Sequence, residues 1–264
     1  MKHKKKQNSN LRFAFIFCAA VLFLIFVSFA VKGILLLKNS TFDGQHRFNV
    51  VILGDNRTSL VSFSPQNRSI TILNLKGNTA GEDLGKFLEL PVDATVRVKD
   101  LKIDKTDISS DISNILFHYR DTSINLTVLD GLRLLLFAKD VPQSSIYERD
   151  LSVKDSLSIN SFTSSFFIDT QIANEKTTIE IINGTSVYGL GNRLANLLNN
   201  MGADVVLVTS SDNMEDSTKV LYSGDLSYSV KRISGILGVK PTKTSQRDIS
   251  DVTIIIGKDI TAKF

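Results

Sequence analysis

Asp55, Arg57, Arg68 and Lys76 have the side-chain types, and stand close enough to predicted strand ends, to hold a phosphate or a metal-bound phosphate. A carboxylate can ligate a divalent ion, a guanidinium presents a fixed two-donor fork to phosphate oxygens, and an ammonium adds a mobile point charge. Gathered in one pocket at the strand ends, the four would suit phosphoryl transfer.

Other candidate sets are better explained as structure. Gly189-Leu-Gly191 follows a predicted strand and opens a helix, but Leu194 stands where a dinucleotide loop needs its third glycine, and no GK[ST] phosphate loop is present. The histidines, His3, His46 and His118, have no HExxH motif or cysteine ligands near them, so neither a zinc site nor a Ser/His/Asp triad is indicated. Asp107 with Asp111, and Asp212 with Glu215 and Asp216, read as solvated faces and loops, and residues 213–216 lack the alternating ligands of a calcium loop. No metal and no cofactor is expected.

The element that places everything else is the uncharged run over residues 13–31, FAFIFCAAVLFLIFVSFAV, resumed by residues 34–37 after Lys32 and Gly33. A bilayer core of ~30 Å needs ~20 apolar residues in helical form, so residues 13–37 are expected to cross a membrane. Lys2, Lys4, Lys5, Lys6 and Arg12 precede the run, and the positive-inside bias keeps such a cluster cytoplasmic. The rest of the chain is then extracytoplasmic. Ser28-x-Ala30 offers a signal-peptidase spacing, but the run exceeds a signal core and bulky residues continue past the cut. Cys18 follows Phe17 rather than a small residue, which argues against lipid attachment.

Six of the 31 basic residues lie before Leu37 and no acidic residue precedes Asp43, so the outer part holds 25 basic against 27 acidic residues, a balance of −2. The net charge of +4 therefore reports topology, and no nucleic-acid surface is indicated. With its single cysteine inside the apolar run, the outer part has neither disulfide nor thiol chemistry.

Residues 38–47 read as a polar stalk. Strands are predicted at 48–53, 60–63, 70–75 and 92–98, the second and third forming a hairpin about residues 64–68. Helices are predicted at 82–90, stopped by Pro91, and at 107–119 and 125–138. Residues 47–150 are thus expected to be a small mixed α/β unit. Residues 151–176 are a Ser/Thr/Asn-rich connector, partly ordered by docking Phe162, Phe166, Phe167 and Ile168.

Residues 177–261 show the order β-α-β-β-α-β, with strands at 178–182, 203–209, 218–222 and 252–256 and helices at 189–201 and 228–237. This suggests a ferredoxin-like sheet of four antiparallel strands with strands 178–182 and 252–256 at its centre, and makes the whole chain α+β behind one membrane helix. Asn183, Gly184, Gly189 and Gly191 are expected to build the turn and helix start, and Gly202 the left-handed helix stop.

In sequence, IEIINGT at 179–185, GLGNR at 189–193, the Gly202 stop, VLY at 220–222 and DVTIIIGKD at 251–259 resemble the LytR C-terminal domain. That resemblance implies a bacterial envelope protein, the domain commonly standing behind a membrane helix and a LytR-CpsA-Psr catalytic domain that transfers lipid-linked glycopolymer to peptidoglycan. The stretches VILGDNR at 51–57, SFSP at 62–65 and ILNLKGNT at 72–79 are similar to the opening of that catalytic domain, the last to a stretch normally reading SIPRDT. Gly77 and Asn78 replace its Arg and Asp, and glycine offers no donor fork to a pyrophosphate.

Two functions follow. The leading one is a single-pass, non-catalytic envelope protein whose outer domains bind peptidoglycan, a wall polymer or another envelope protein. The alternative is a minimal phosphotransferase that uses Asp55, Arg57, Arg68 and Lys76 to attach lipid-linked glycopolymer to peptidoglycan. A transcriptional regulator fits poorly with a near-neutral outer part and a short basic tail of residues 1–12.

Overall fold

The apolar run folds into one helix, α1 (Gln7–Asn39), in a computed structural model that describes residues 7–54, 57–76, 84–98, 103–117, 123–152, 156–245 and 249–263. Within Phe13–Asn39 its most apolar 18-residue stretch has a mean hydropathy of 2.9 and no residue buried among the described residues, so the helix is long and apolar enough to cross a membrane.

The residues after α1, expected as a polar stalk, are bonded to the folded part. Ser40 Oγ and the backbone amides of Thr41 and Phe42 all donate to Asp130 Oδ1, at 2.7, 3.0 and 2.8 Å. Phe42 is fully buried, its ring 5.2 Å from that of Phe48. Burying one such side chain stabilises by about 1.5–3 kcal/mol, which is enough to hold a short segment down. The exit of α1 is therefore fixed to the folded part.

The first sheet has six strands in the order β5-β4-β1-β2-β3-β6: β1 (Phe48–Leu53), β2 (Arg57–Ser64), β3 (Ser69–Lys76), β4 (Ala94–Arg97), β5 (Ser123–Ile124) and β6 (Ile146–Ser152). The predicted hairpin is β2–β3, antiparallel from Arg57↔Lys76 to Ser64↔Ser69. β1 is antiparallel to β2 and parallel to β4. Alternate residues of these strands are buried on opposite faces. Val50, Ile52, Val61, Phe63, Ile70 and Ile72 pack with α3 (Ile108–Phe117) and α4 (Val128–Asp140). Val51, Leu53, Leu60, Leu73 and Leu75 pack with α2 (Leu84–Leu88) and with the Phe162, Phe166 and Phe167 cluster. Helices on both sides give three layers.

Residues 151–176 are more regular than the expected connector. Leu151 and Ser152 complete β6, which pairs in parallel with β3, and two helices follow, α5 (Ser156–Phe166) and α6 (Thr170–Glu175). The docking of aromatics is as expected: Phe167 is buried, with Phe162 and Phe166 packed beside it.

The second sheet holds β7 (Thr178–Asn183), β8 (Asp204–Ser210), β9 (Lys219–Tyr222), β10 (Thr242–Lys243) and β11 (Val252–Ile256), in the order β10-β9-β11-β7-β8. The predicted βαββαβ succession and the inner position of β7 and β11 hold; the antiparallel ferredoxin-like pairing does not. β7 pairs in parallel with both β8 and β11, and only β9–β11 is antiparallel. The reason is that α7 (Leu190–Asn200) returns the chain to the strand position directly beside β7, leaving no slot for β9, which joins the far side of β11. α7 and α8 (Tyr228–Leu237) cover a single face and share one core with Ile179, Ile181, Val220, Ile254 and Ile256. The other face carries Ile182, Ile255 and Val206 without a covering helix, and Val206 is 47% exposed.

Charged and amide groups tie the second sheet to the first. The Arg232 guanidinium on α8 meets both carboxylate oxygens of Asp93, at 2.7 and 2.9 Å. Burial would lower the pKa of Arg232, but the Asp93 charge outweighs it and raises the value. Asn196 and Asn200 of α7 donate to the side chain and backbone of Glu89, each at 3.1 Å. His46 stacks on Tyr228 with ring centroids 4.0 Å apart, while its Nε2 lies 2.9 Å from Gln171 Oε1.

Candidate functional site

At the carboxyl ends of the parallel pair β7–β8, where α7 begins, the chain forms an open groove of about 340 Å³. Ligands of α/β sheets bind in such crevices because parallel strands and their crossover helices leave loop backbone and helix starts facing one space. The loop is built by Asn183. Its Oδ1 accepts from the Thr185 amide at 3.1 Å and from the Thr185 hydroxyl at 2.8 Å, and its Nδ2 donates to the Val187 carbonyl at 3.0 Å.

The predicted turn and cap residues each have a role in this loop or at the ends of α7. The Gly184 amide donates to the Ile256 carbonyl at 3.0 Å, and a Cβ there would lie 2.8 Å from Glu215 Cγ. Gly189 caps α7 with φ +75°, the left-handed region that disfavours a side chain. Gly191 lets α7 approach β8, since a Cβ would stand 2.9 Å from Val208 Cγ1. Gly202 follows α7 with φ +91°.

Facing the groove, the side chains of Ser186, Tyr188, Asn192, Thr209 and Ser210 make no hydrogen bond among the described residues, and all are exposed. Tyr188 is 100% exposed. None of the lining residues is charged. Sequence reasoning took this region only as a turn; the available signal was a cluster of hydroxyls and amides after two successive strands and at a helix start.

The four residues considered for phosphoryl transfer are placed differently. Arg57 and Lys76 are cross-strand partners at the open end of the β2–β3 hairpin. Arg68 lies in the turn at the other end, and an eight-residue strand separates it from Arg57 by roughly 23 Å, beyond the reach of two arginines to one phosphate. Arg68 instead pairs with Asp140 at 3.0 Å on the surface. Asp55 lies outside the described residues, as do Gly77, Asn78, His3 and His118. Among the described residues, no group of three or more His, Cys, Asp or Glu side chains is placed to hold a metal ion. Glu215 pairs with Lys219 at 2.7 Å and Asp216 with Lys258 at 2.8 Å, so these carboxylates belong to ion pairs. Asp111 accepts from the Asp104 amide at 3.1 Å. His46 forms a close contact with Asp43 inside the segment after α1.

Residues 176–259 match the LytR_C family, described as LytR cell envelope-related transcriptional attenuator. No curated protein matches the chain. Among solved structures, the transcriptional regulator YvhJ from Bacillus subtilis is 13% identical, with 40% of this chain and 83% of that one covered at a TM-score of 0.33. B. subtilis TagV is 11% identical, with 42% and 85% covered at a TM-score of 0.30. The transcriptional regulator EF0465 from Enterococcus faecalis is 12% identical, with 42% and 78% covered at 0.32. At these scores the likeness decides neither fold nor activity.

Proposed function

With a LytR C-terminal domain at residues 176–259 of an envelope-associated chain, we propose that α1 is a membrane anchor that holds extracytoplasmic binding domains for a wall glycan or an envelope protein. The observation that carries this reading is α1 itself: a helix whose apolar stretch has no residue buried among the described residues and whose exit is fixed through Asp130. Lipid is the environment that such a helix requires. The basic tail of residues 1–12 then stays cytoplasmic and residues 13–37 span. Residues 47–150 are the degenerate LytR-CpsA-Psr-like unit, residues 151–176 connect, and residues 177–261 carry the binding function. A role in binding rather than catalysis is supported by the separation of Arg68 from Arg57 and Lys76.

The test is a C-terminal epitope tag probed with protease on intact cells, combined with retention of the full chain by isolated peptidoglycan sacculi and cross-linking to envelope proteins. Tag cleavage from outside, together with sacculus retention or a specific cross-link, is the expected result. A tag protected until lysis, or accessibility without any retained wall or protein partner, would refute the proposal.

A further inference from the structure

We infer that the groove at the ends of β7 and β8 is a saccharide site for a neutral, ring-bearing glycan, with Tyr188 as its stacking platform. This rests on the envelope-binding reading and narrows it to one place and one ligand class.

Three features of the groove carry the inference. First, its exposed polar groups are four hydroxyls and one amide, those of Ser186, Thr209, Ser210, Tyr188 and Asn192, none hydrogen-bonded among the described residues. Such groups both donate and accept, which matches the paired donor and acceptor character of sugar hydroxyls. Second, no lysine or arginine lines the groove, so an anionic polymer would meet no counter-charge there. The start of α7 supplies backbone N–H donors, but those serve a neutral oxygen equally well.

Third, Tyr188 takes no part in the core of the second sheet. It is 100% exposed, yet the loop that presents it is fixed by the three Asn183 hydrogen bonds and by Val187, which packs against the core. A rigidly presented, unpacked aromatic with a polar tip is the side chain that stacks on the apolar face of a sugar ring while bonding to its edge. Preorganisation lowers the entropy lost on binding, which matters for a weak ligand. The volume, about 340 Å³, lies at the small end of ligand sites, roughly 300–1,000 Å³, and the open side lets a polymer run through.

The experiment titrates the full chain in nanodiscs with the N-acetylglucosamine tetramer, followed by calorimetry, and repeats it with Tyr188→Ala and Thr209→Val. Both positions are exposed, so the thermal unfolding midpoint should not move. Saturable binding is expected, weakened roughly tenfold by Tyr188→Ala, the size of one aromatic stacking contact, and several-fold by Thr209→Val. Equal affinity of Tyr188→Ala and the unmodified chain, or no saturable binding of the tetramer, would overturn the assignment. So would tighter binding of poly(glycerol phosphate) than of the tetramer. Sacculus retention measured in parallel separates the two levels. If sacculi retain the unmodified chain and Tyr188→Ala equally, the envelope-binding function stands and this site falls. If neither is retained and no envelope protein cross-links, both fall.

Discussion

The two sheets of this chain are built from strands of similar apolar content, yet the first is covered by helices on both faces and the second on one. Ile72 and Leu73, neighbours on β3, point to opposite faces and are both fully buried. Ile181 and Ile182, neighbours on β7, also point to opposite faces, but only Ile181 is buried. Three adjacent parallel strands usually have both faces covered, because crossover helices pack on each side. Here α7 and α8 share one face, which leaves the second sheet open and its loop end accessible. The β2–β3 hairpin of the first sheet spreads Arg57 and Lys76 at one end and Arg68 at the other; the second sheet presents a rigid polar groove. In this chain, residue types suited to chemistry are less informative than where the topology leaves free groups together.

The largest expected effects test that contrast directly. Ile72→Ala, Leu73→Ala and Ile181→Ala should each destabilise the full chain by about 2–5 kcal/mol, the usual loss for a deleted aliphatic side chain in a closed core. Ile182→Ala should lose less than about 1 kcal/mol, because water already reaches that face. Denaturant unfolding in detergent measures all four. If Ile182→Ala were as damaging as Ile181→Ala, the open face would be covered in solution and the comparison would break.

Next in size is the attachment of α1. Asp130 is fully buried, accepts from Ser40, Thr41 and Phe42 through one oxygen, and from the Thr127 amide and hydroxyl through the other, at 3.2 and 2.6 Å. Asp130→Asn places an NH₂ against the Thr127 amide or against the stem amides, so two donors face each other. The expected loss is about 2–3 kcal/mol, with faster amide exchange over residues 40–42 than over β3. Unchanged exchange there would mean that Phe42 alone holds the stem.

Acid acts on the same contacts. Burial by itself would raise the pKa of Asp130, but hydrogen bonds from Ser40, Thr127 and Phe42 outweigh it and hold the value below the ordinary 3.8. Glu175 is lowered from 4.5 in the same way by hydrogen bonds from Ser229, Ser227 and Tyr228. Depressed carboxyl values give stability that is complete above the unfolded values and is lost as pH falls through the folded ones. The unfolding midpoint should therefore be flat near neutrality and fall below about pH 4. Asp130→Asn should flatten part of that fall. A midpoint that rises on acidification would contradict the sign.

Much of this was legible in the sequence. The β2–β3 hairpin, α4 and the β7-α7-β8 succession follow from apolar periodicity and turn residues, and Thr127-x-x-Asp130 is a capping box. The hairpin by itself already implied that Arg68, in the turn, stands far from Arg57 and Lys76. β6 was not legible, because Glu148, Arg149 and Asp150 interrupt its apolar residues; an edge strand tolerates such charges where an inner one does not. The parallel pairing of β7 with β8 was hidden as well, since element order is local whereas strand order is decided by which gap a helix closes. The groove escaped because none of its residues is individually unusual.

The smallest effects sharpen the account of the loop. Gly189 and Gly235 both have open space where a Cβ would go, but Gly189 sits at φ +75° while Gly235 is an ordinary residue inside α8. Gly189→Ala should therefore lose about 1 kcal/mol from backbone strain alone. Gly235→Ala should gain about 0.5–1 kcal/mol, since alanine reduces the freedom of the unfolded chain and favours helix. Opposite signs at two uncrowded glycines would show that the loop presenting Tyr188 is held by backbone conformation as well as by Asn183. Equal signs would mean that the start of α7 relaxes when substituted, and a loop able to relax would present Tyr188 less rigidly.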